Sequence, residues 1–122
     1  MTDAEIAAHE AEAEQNAARD KELERLAGVA ADRSPEEIAN GWAPLTNNED
    51  SVALQCYLRI DVYFAHGFSQ VLAYRSQDKN NDSMWAYIGY GLGTAKYPWP
   101  CNVRRAIVEA AAKIGRLKEI RQ

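Results

Sequence analysis

IDVYFAHGFSQVLAYR, residues 60–75, reads as two strands joined by a tight turn. Residues 60–64 are β-branched or aromatic except for Asp61, the residue types that fit a pleated, half-buried surface. His66-Gly67 supplies the turn and residues 68–75 the returning strand. Beyond it, Gln77 through Ser83 form a polar run with strong turn chemistry. Residues 84–92 then read as a third strand, in which Gly89 and Gly91, with Gly93 just beyond, suggest a bulge. Side chains alternate across a strand, so Trp85, Tyr87 and Tyr90 cannot all point inward, and part of this aromatic set must face outward.

Two helical segments flank the strands. On the N-terminal side, Thr46-Asn47-Asn48-Glu49 reads as a capping box opening a short buried helix that contains Val52, Leu54, Cys56, Tyr57 and Leu58. On the C-terminal side, Tyr97-Pro98-Trp99-Pro100 reads as a rigid aromatic loop, because its prolines lack backbone donors and fix their own φ. Asn102 is the expected cap of the last helix. There Val103, Ala106, Ile107, Ala110, Ala111, Ile114 and Leu117 form one apolar stripe, opposite Arg105, Glu109, Lys113 and Arg116. A three-stranded antiparallel sheet covered by two helices is therefore expected, an α+β layer.

A further helix precedes this unit. Residues 2–31 are rich in Ala, Glu, Gln, Lys and Leu, with only Gly28 as a breaker, but before Leu23 they offer little besides Ile6 and alanines to bury. Ser34-Pro35-Glu36-Glu37 opens a second, brief helix, with Ser34 as cap and Pro35 at the first position, and Asn40-Gly41 closes it. The division expected is an acidic helical arm, residues 1–33, and a compact domain, residues 34–122. Residues 1–40 hold 11 acidic and 4 basic side chains, a net −7, whereas the remainder holds 10 basic and 7 acidic, a net +3.

Composition bounds the chemistry. The 122 residues suffice for one core. No apolar run reaches the roughly 20 residues of a membrane span, and the polar start lacks the pattern of a signal peptide, so a cytoplasmic protein with reduced Cys56 and Cys101 is expected. The acidic balance disfavours sequence-independent nucleic-acid binding, which needs concentrated Lys and Arg. His9-Glu10 lacks the second histidine of a zinc helix, since position 13 is Ala. Cys101 and His66 are not brought together by the sequence. Asp50, Asp61, Asp78 and Asp82 fall on a cap, a strand and a loop without acid and base pairing. Neither catalytic residues nor a cofactor are expected.

The segment GWAPLTNNEDSVALQCYLRIDV, with Trp42, Pro44, Leu45, Thr46, Asp50 and Leu54, follows the pattern W-x-P-L-T-[DN]-[DN]-x-D-x-x-x-L leading into a strand. RRAIVEAAAKIGR carries Arg104, Arg105, Ala106, Ala110, Ala111 and Gly115. Over residues 41–117 the chain resembles phage and prophage accessory proteins of the NinX-like kind, described as a phage ABA sandwich domain. It departs from them at Asn47, Asn48 and Glu49. The resemblance implies the fold and a viral origin, with action in the host cytoplasm, but no reaction.

Two binding readings follow. One is a non-enzymatic protein that occludes a host factor, such as a component of antiviral defence, through Glu10, Glu14 and Glu22 of the arm or Trp85 and Tyr87 of the sheet. The other is a protein that sequesters a nucleotide signal, with Tyr97 and Trp99 stacking on the base, Arg104 and Arg105 holding phosphate at a helix N-terminus, and a homo-oligomer enclosing the ligand. A structural or housekeeping phage component is the third reading.

Overall fold

The computed structural model describes residues 2–75, 85–89 and 100–121. The polar run from Gln77, and Tyr90, Tyr97 and Trp99, lie outside the described residues. Helix α1 (Asp3–Ala30) is followed by α2 (Pro35–Ala39), α3 (Asn48–Leu58), strand β1 (Ile60–Ala65), a 3₁₀ turn (His66–Phe68), β2 (Gln70–Arg75), β3 (Ala86–Gly89) and α4 (Pro100–Ile120). The strands form a three-stranded antiparallel sheet in the order β1-β2-β3, packed against helices, an α+β fold.

Local chemistry explains most boundaries. Thr2 caps α1 by accepting the Glu5 N–H at 3.2 Å. Ser34 and Glu37 form the expected reciprocal capping box on α2, with Pro35 at its first turn. The cap of α3 lies one residue later than expected: the Asn47 side chain, not Thr46, accepts the Asp50 N–H at 3.0 Å. Thr46 is instead held in the preceding turn, its N–H donating to the Ala43 carbonyl. Arg59 takes the left-handed conformation at φ 56° and turns the chain from α3 directly into β1. The hairpin turn is also longer than expected. A 3₁₀ turn and Ser69 at φ 51° intervene, so β2 begins at Gln70 and Phe68 stays exposed.

Asn102 does not cap α4. The helix starts at Pro100, because proline at the first helical position surrenders an N–H that has no intrahelical partner anyway. Asn102 donates its side-chain amide to the Gly89 carbonyl at 3.2 Å, tying α4 to the end of β3. Nor is α3 buried throughout: Ser51, Leu54 and Leu58 are buried, whereas Val52, Cys56 and Tyr57 are exposed.

Helix α4 is the centre of the core. Toward the sheet and α3 it buries Ala106, Ile107, Ala110 and Ala111, against Ile60, Val71, Ala73, Ala86 and Leu54. Val108, Ala112 and Gly115 form a second stripe that the apolar pattern missed, and all three are buried. They recur at helical spacing on the side of α4 turned to α1. The two backbones come so close at this seam that a Cβ added to Gly115 would lie 2.7 Å from the Leu26 carbonyl carbon and 3.3 Å from the Ala30 amide nitrogen. Leu26, Ala27 and Ala30, all within residues 1–33, are 2%, 0% and 4% exposed. The core thus runs through both parts of the chain.

Trp42–Thr46, the motif of the resemblance, works as a clasp. Asp50 Oδ2 accepts the Ala43 N–H at 2.9 Å and Pro44 is fully buried. Leu45 donates its N–H to Glu24 of α1 at 3.2 Å, and its carbonyl accepts Arg104 Nε of α4 at 2.9 Å. One peptide segment thereby fastens three helices.

Candidate interaction surfaces

With α4 on its inner face, the sheet turns alternate residues outward. The register aligns Tyr63 with Leu72 and Leu72 with Tyr87 across all three strands. Tyr63 is 59% and Tyr87 48% exposed. Beside this row, Tyr74 stacks on Trp85, with centroids 4.2 Å apart and planes 11° from parallel, and Trp85 stacks on Tyr87 at 5.9 Å and 15°. Lys113 of α4 donates to the Trp85 carbonyl and secures the start of β3 from below. The result is an aromatic ladder on a rigid support. Alternation places part of the set Trp85, Tyr87 and Tyr90 outward, and of these Tyr87 is exposed and Trp85 half-buried. Tyr63 and Tyr74 were not marked, because joining them needs the inter-strand register, although period two counted from buried Ile60 would have turned Tyr63 outward.

The acidic helix lies on the other side of the molecule, since α1 packs on the face of α4 turned away from the sheet. Every side chain described in residues 2–19 is exposed, Glu10 and Glu14 among them. At 1.5 Å per residue this free portion is about 25 Å long. Glu22 is already engaged. It accepts two bonds from Arg25, which also reaches Glu119 of α4 at 2.9 Å, and the Arg25 guanidinium holds the Glu22 carboxyl below the usual carboxylate value. The hydrogen bond from Lys118, aided by that from Tyr57, lowers Asp32 likewise. Glu24 differs, since burial pushes its carboxyl up against the opposing effect of the Leu45 N–H.

The two arginines at the start of α4 diverge. Arg105 Nη1 meets Asp20 Oδ1 of α1 at 3.1 Å, and its Nε meets Glu109 at 3.4 Å. Arg104 points toward α3, where Nη1 donates to Asn48 Oδ1 at 2.6 Å. It borders a groove between α3, β1 and α4 of about 350 Å³. Of the four residues assigned to the nucleotide reading, Tyr97 and Trp99 lie outside the described residues, and Arg105 is committed to carboxylates.

Among the described residues no group of three or more His, Cys, Asp or Glu side chains converges as a metal site, and no helix is long and apolar enough to cross a membrane. Both cysteines are free and exposed. No protein-family model, curated protein or solved structure matches this chain.

Proposed function

We propose that this chain is a non-enzymatic binding protein whose aromatic sheet face anchors a protein partner. The outward row Tyr63, Leu72 and Tyr87, flanked by the Tyr74 and Trp85 stack, carries this reading. Tyrosine and tryptophan dominate binding hot spots because they present large, stiff surface at small entropic cost. Aromatic side chains offer 150–250 Å² each, so the exposed fractions of Tyr63 and Tyr87 alone amount to roughly 200 Å². That is enough for an anchor and well short of the ~800 Å² per partner of a stable interface, so the partner must reach beyond the ladder.

In keeping with the resemblance of residues 41–117 to phage accessory proteins, the partner we propose is a host factor, inhibited by occlusion. The acidic helix faces the opposite way and is a separate surface. Affinity capture from host cells with the full chain, a Tyr63→Ser/Tyr87→Ser variant and a chain lacking residues 2–19 tests this division. The reading requires a partner that is lost with the double variant and kept by the shortened chain. Capture unaffected by the double variant would overturn it.

A further inference from the structure

Arg104 is held differently from the ion-paired cations of the fold. Arg25, Arg33, Arg105 and Lys118 each face a carboxylate. Arg104 instead bonds two neutral acceptors, the Leu45 carbonyl and the Asn48 side-chain oxygen, and among the described residues it makes no ion pair. Both bonds fix the plane of its guanidinium while using only one N–H of Nε and one of Nη1. The remaining N–H groups, one on Nη1 and two on Nη2, are donors that suit a carboxylate, with Nη2 making no hydrogen bond among the described residues. A half-buried, immobilised and uncompensated cation is an anion site in waiting.

Its position defines the rest of the ligand. Arg104 lines the groove of about 350 Å³ together with Val52, Phe64, Val103 and Ile107, so apolar walls adjoin the fixed charge. The volume falls in the range of small-molecule sites. Ser51 lines the same groove, is 2% exposed, and its Oγ has no hydrogen-bond partner among the described residues. A buried hydroxyl without a partner is a second polar point available to a ligand oxygen or to a water that accompanies it. The groove also lies at the N-terminal ends of α3 and α4, where both helix dipoles favour negative charge; the first turn of α4 carries no acidic residue, whereas that of α3 carries Glu49 and Asp50, so the anion belongs on the α4 side beside Arg104.

We propose that this groove binds a small amphipathic carboxylate, its apolar body against Val52, Phe64, Val103 and Ile107 and its carboxylate on the Arg104 guanidinium. The site is separate from the sheet ladder and does not depend on it. Titration of the ¹⁵N-labelled full chain with 1-naphthaleneacetate, and in parallel with the neutral 1-naphthaleneacetamide, reads it by NMR. The acid should bind at least tenfold more tightly than the amide, with shifts confined to the first two turns of α3 and α4 and the end of β1.

Arg104→Gln should abolish that preference. Because this variant also loosens the hold on Leu45, Val52→Asp provides an independent check: it adds a charge at an exposed rim position, leaves both Arg104 bonds intact, and should weaken the acid more than the amide. Tyr63→Ser/Tyr87→Ser should leave acid binding unchanged. Equal affinity for acid and amide, shifts elsewhere in the fold, no binding of either probe, or an acid preference that survives Val52→Asp would each overturn the proposal.

Discussion

Replacing Gly115 by Ala sets two known effects against each other. Alanine is the better helix former by about 0.8–1.0 kcal/mol, so an exposed glycine in α4 would gain from the change. At Gly115 the added Cβ collides with the Leu26 carbonyl oxygen and stands 2.7 Å from the carbon of that carbonyl and 3.3 Å from the Ala30 nitrogen, all backbone atoms that cannot rotate aside. Carbon contacts settle at about 3.5–4.0 Å, so α1 and α4 must part by more than about 1 Å, and a gap of even that size forfeits up to about half of the dispersion well at each contact along the seam. Overpacking of this kind costs about 1–3 kcal/mol, and a backbone obstacle places this case toward the upper end. After the helix-propensity gain, a net loss of about 2 kcal/mol remains. For a chain of this length that corresponds to a fall in Tm of roughly 6–10 °C. Urea denaturation followed by circular dichroism measures the loss, and hydrogen exchange should show α1 opening first. A Gly115→Ala chain as stable as the wild type, or more so, would refute the close α1–α4 contact and with it the central position of α4.

Glu24→Gln keeps an acceptor for the Leu45 N–H and removes a charge that burial disfavours. Because the folded carboxyl holds its proton above the unfolded value of 4.5, the wild type loses stability as pH rises through the folded pKa. The Gln variant should therefore match the wild type in acid and melt higher near neutrality. Asp32 and Glu119 act in the opposite sense: both are lowered by their cationic partners, so their contributions are present above 3.8 and 4.5 and vanish as pH falls through the folded values, which a melting series in acid will register. Removing residues 2–19 should shift Tm by no more than about 1 °C, whereas Leu26→Ala should cost about 2–5 kcal/mol, because only the latter opens the core. Tyr74→Ser should lose the Trp85 stack, worth about 0.5–1.5 kcal/mol, and flatten the near-ultraviolet circular dichroism of the aromatic ladder.

The strands and the Ser34 box were legible because their signals are local: β-branched residues in sequence at 60–64, and a serine three positions before Glu37. The α1–α4 seam was not, because it is made of alanine and glycine, whose contribution is close approach rather than apolar bulk. Val108, Ala112 and Gly115 therefore looked like incidental helix formers. The Asn47 cap was misplaced by one because Thr46 and Asn47 are both competent caps, and the turn onto Ala43 chose between them. For the candidate surfaces, alternation required only that part of the set Trp85, Tyr87 and Tyr90 face outward, while the role of Arg104 depends on Leu45 and Asn48, 59 and 56 residues away. No spacing rule spans such distances.

The central position of α4 has a bearing on how the chain acquires its structure. The elements that precede α4 have no complete core without it: its tie to α1 joins Arg25 to Glu119 across 94 residues and Asp20 to Arg105 across 85. Closing such long loops comes at an entropic cost before the contacts repay it, so folding should be slow for a protein of this helix content. During synthesis the sheet and α1 must wait, with their apolar faces open, until α4 has emerged. A nascent chain halted before Pro100 should accordingly be a substrate for chaperones and proteases, and the length at which protection appears will mark the arrival of α4.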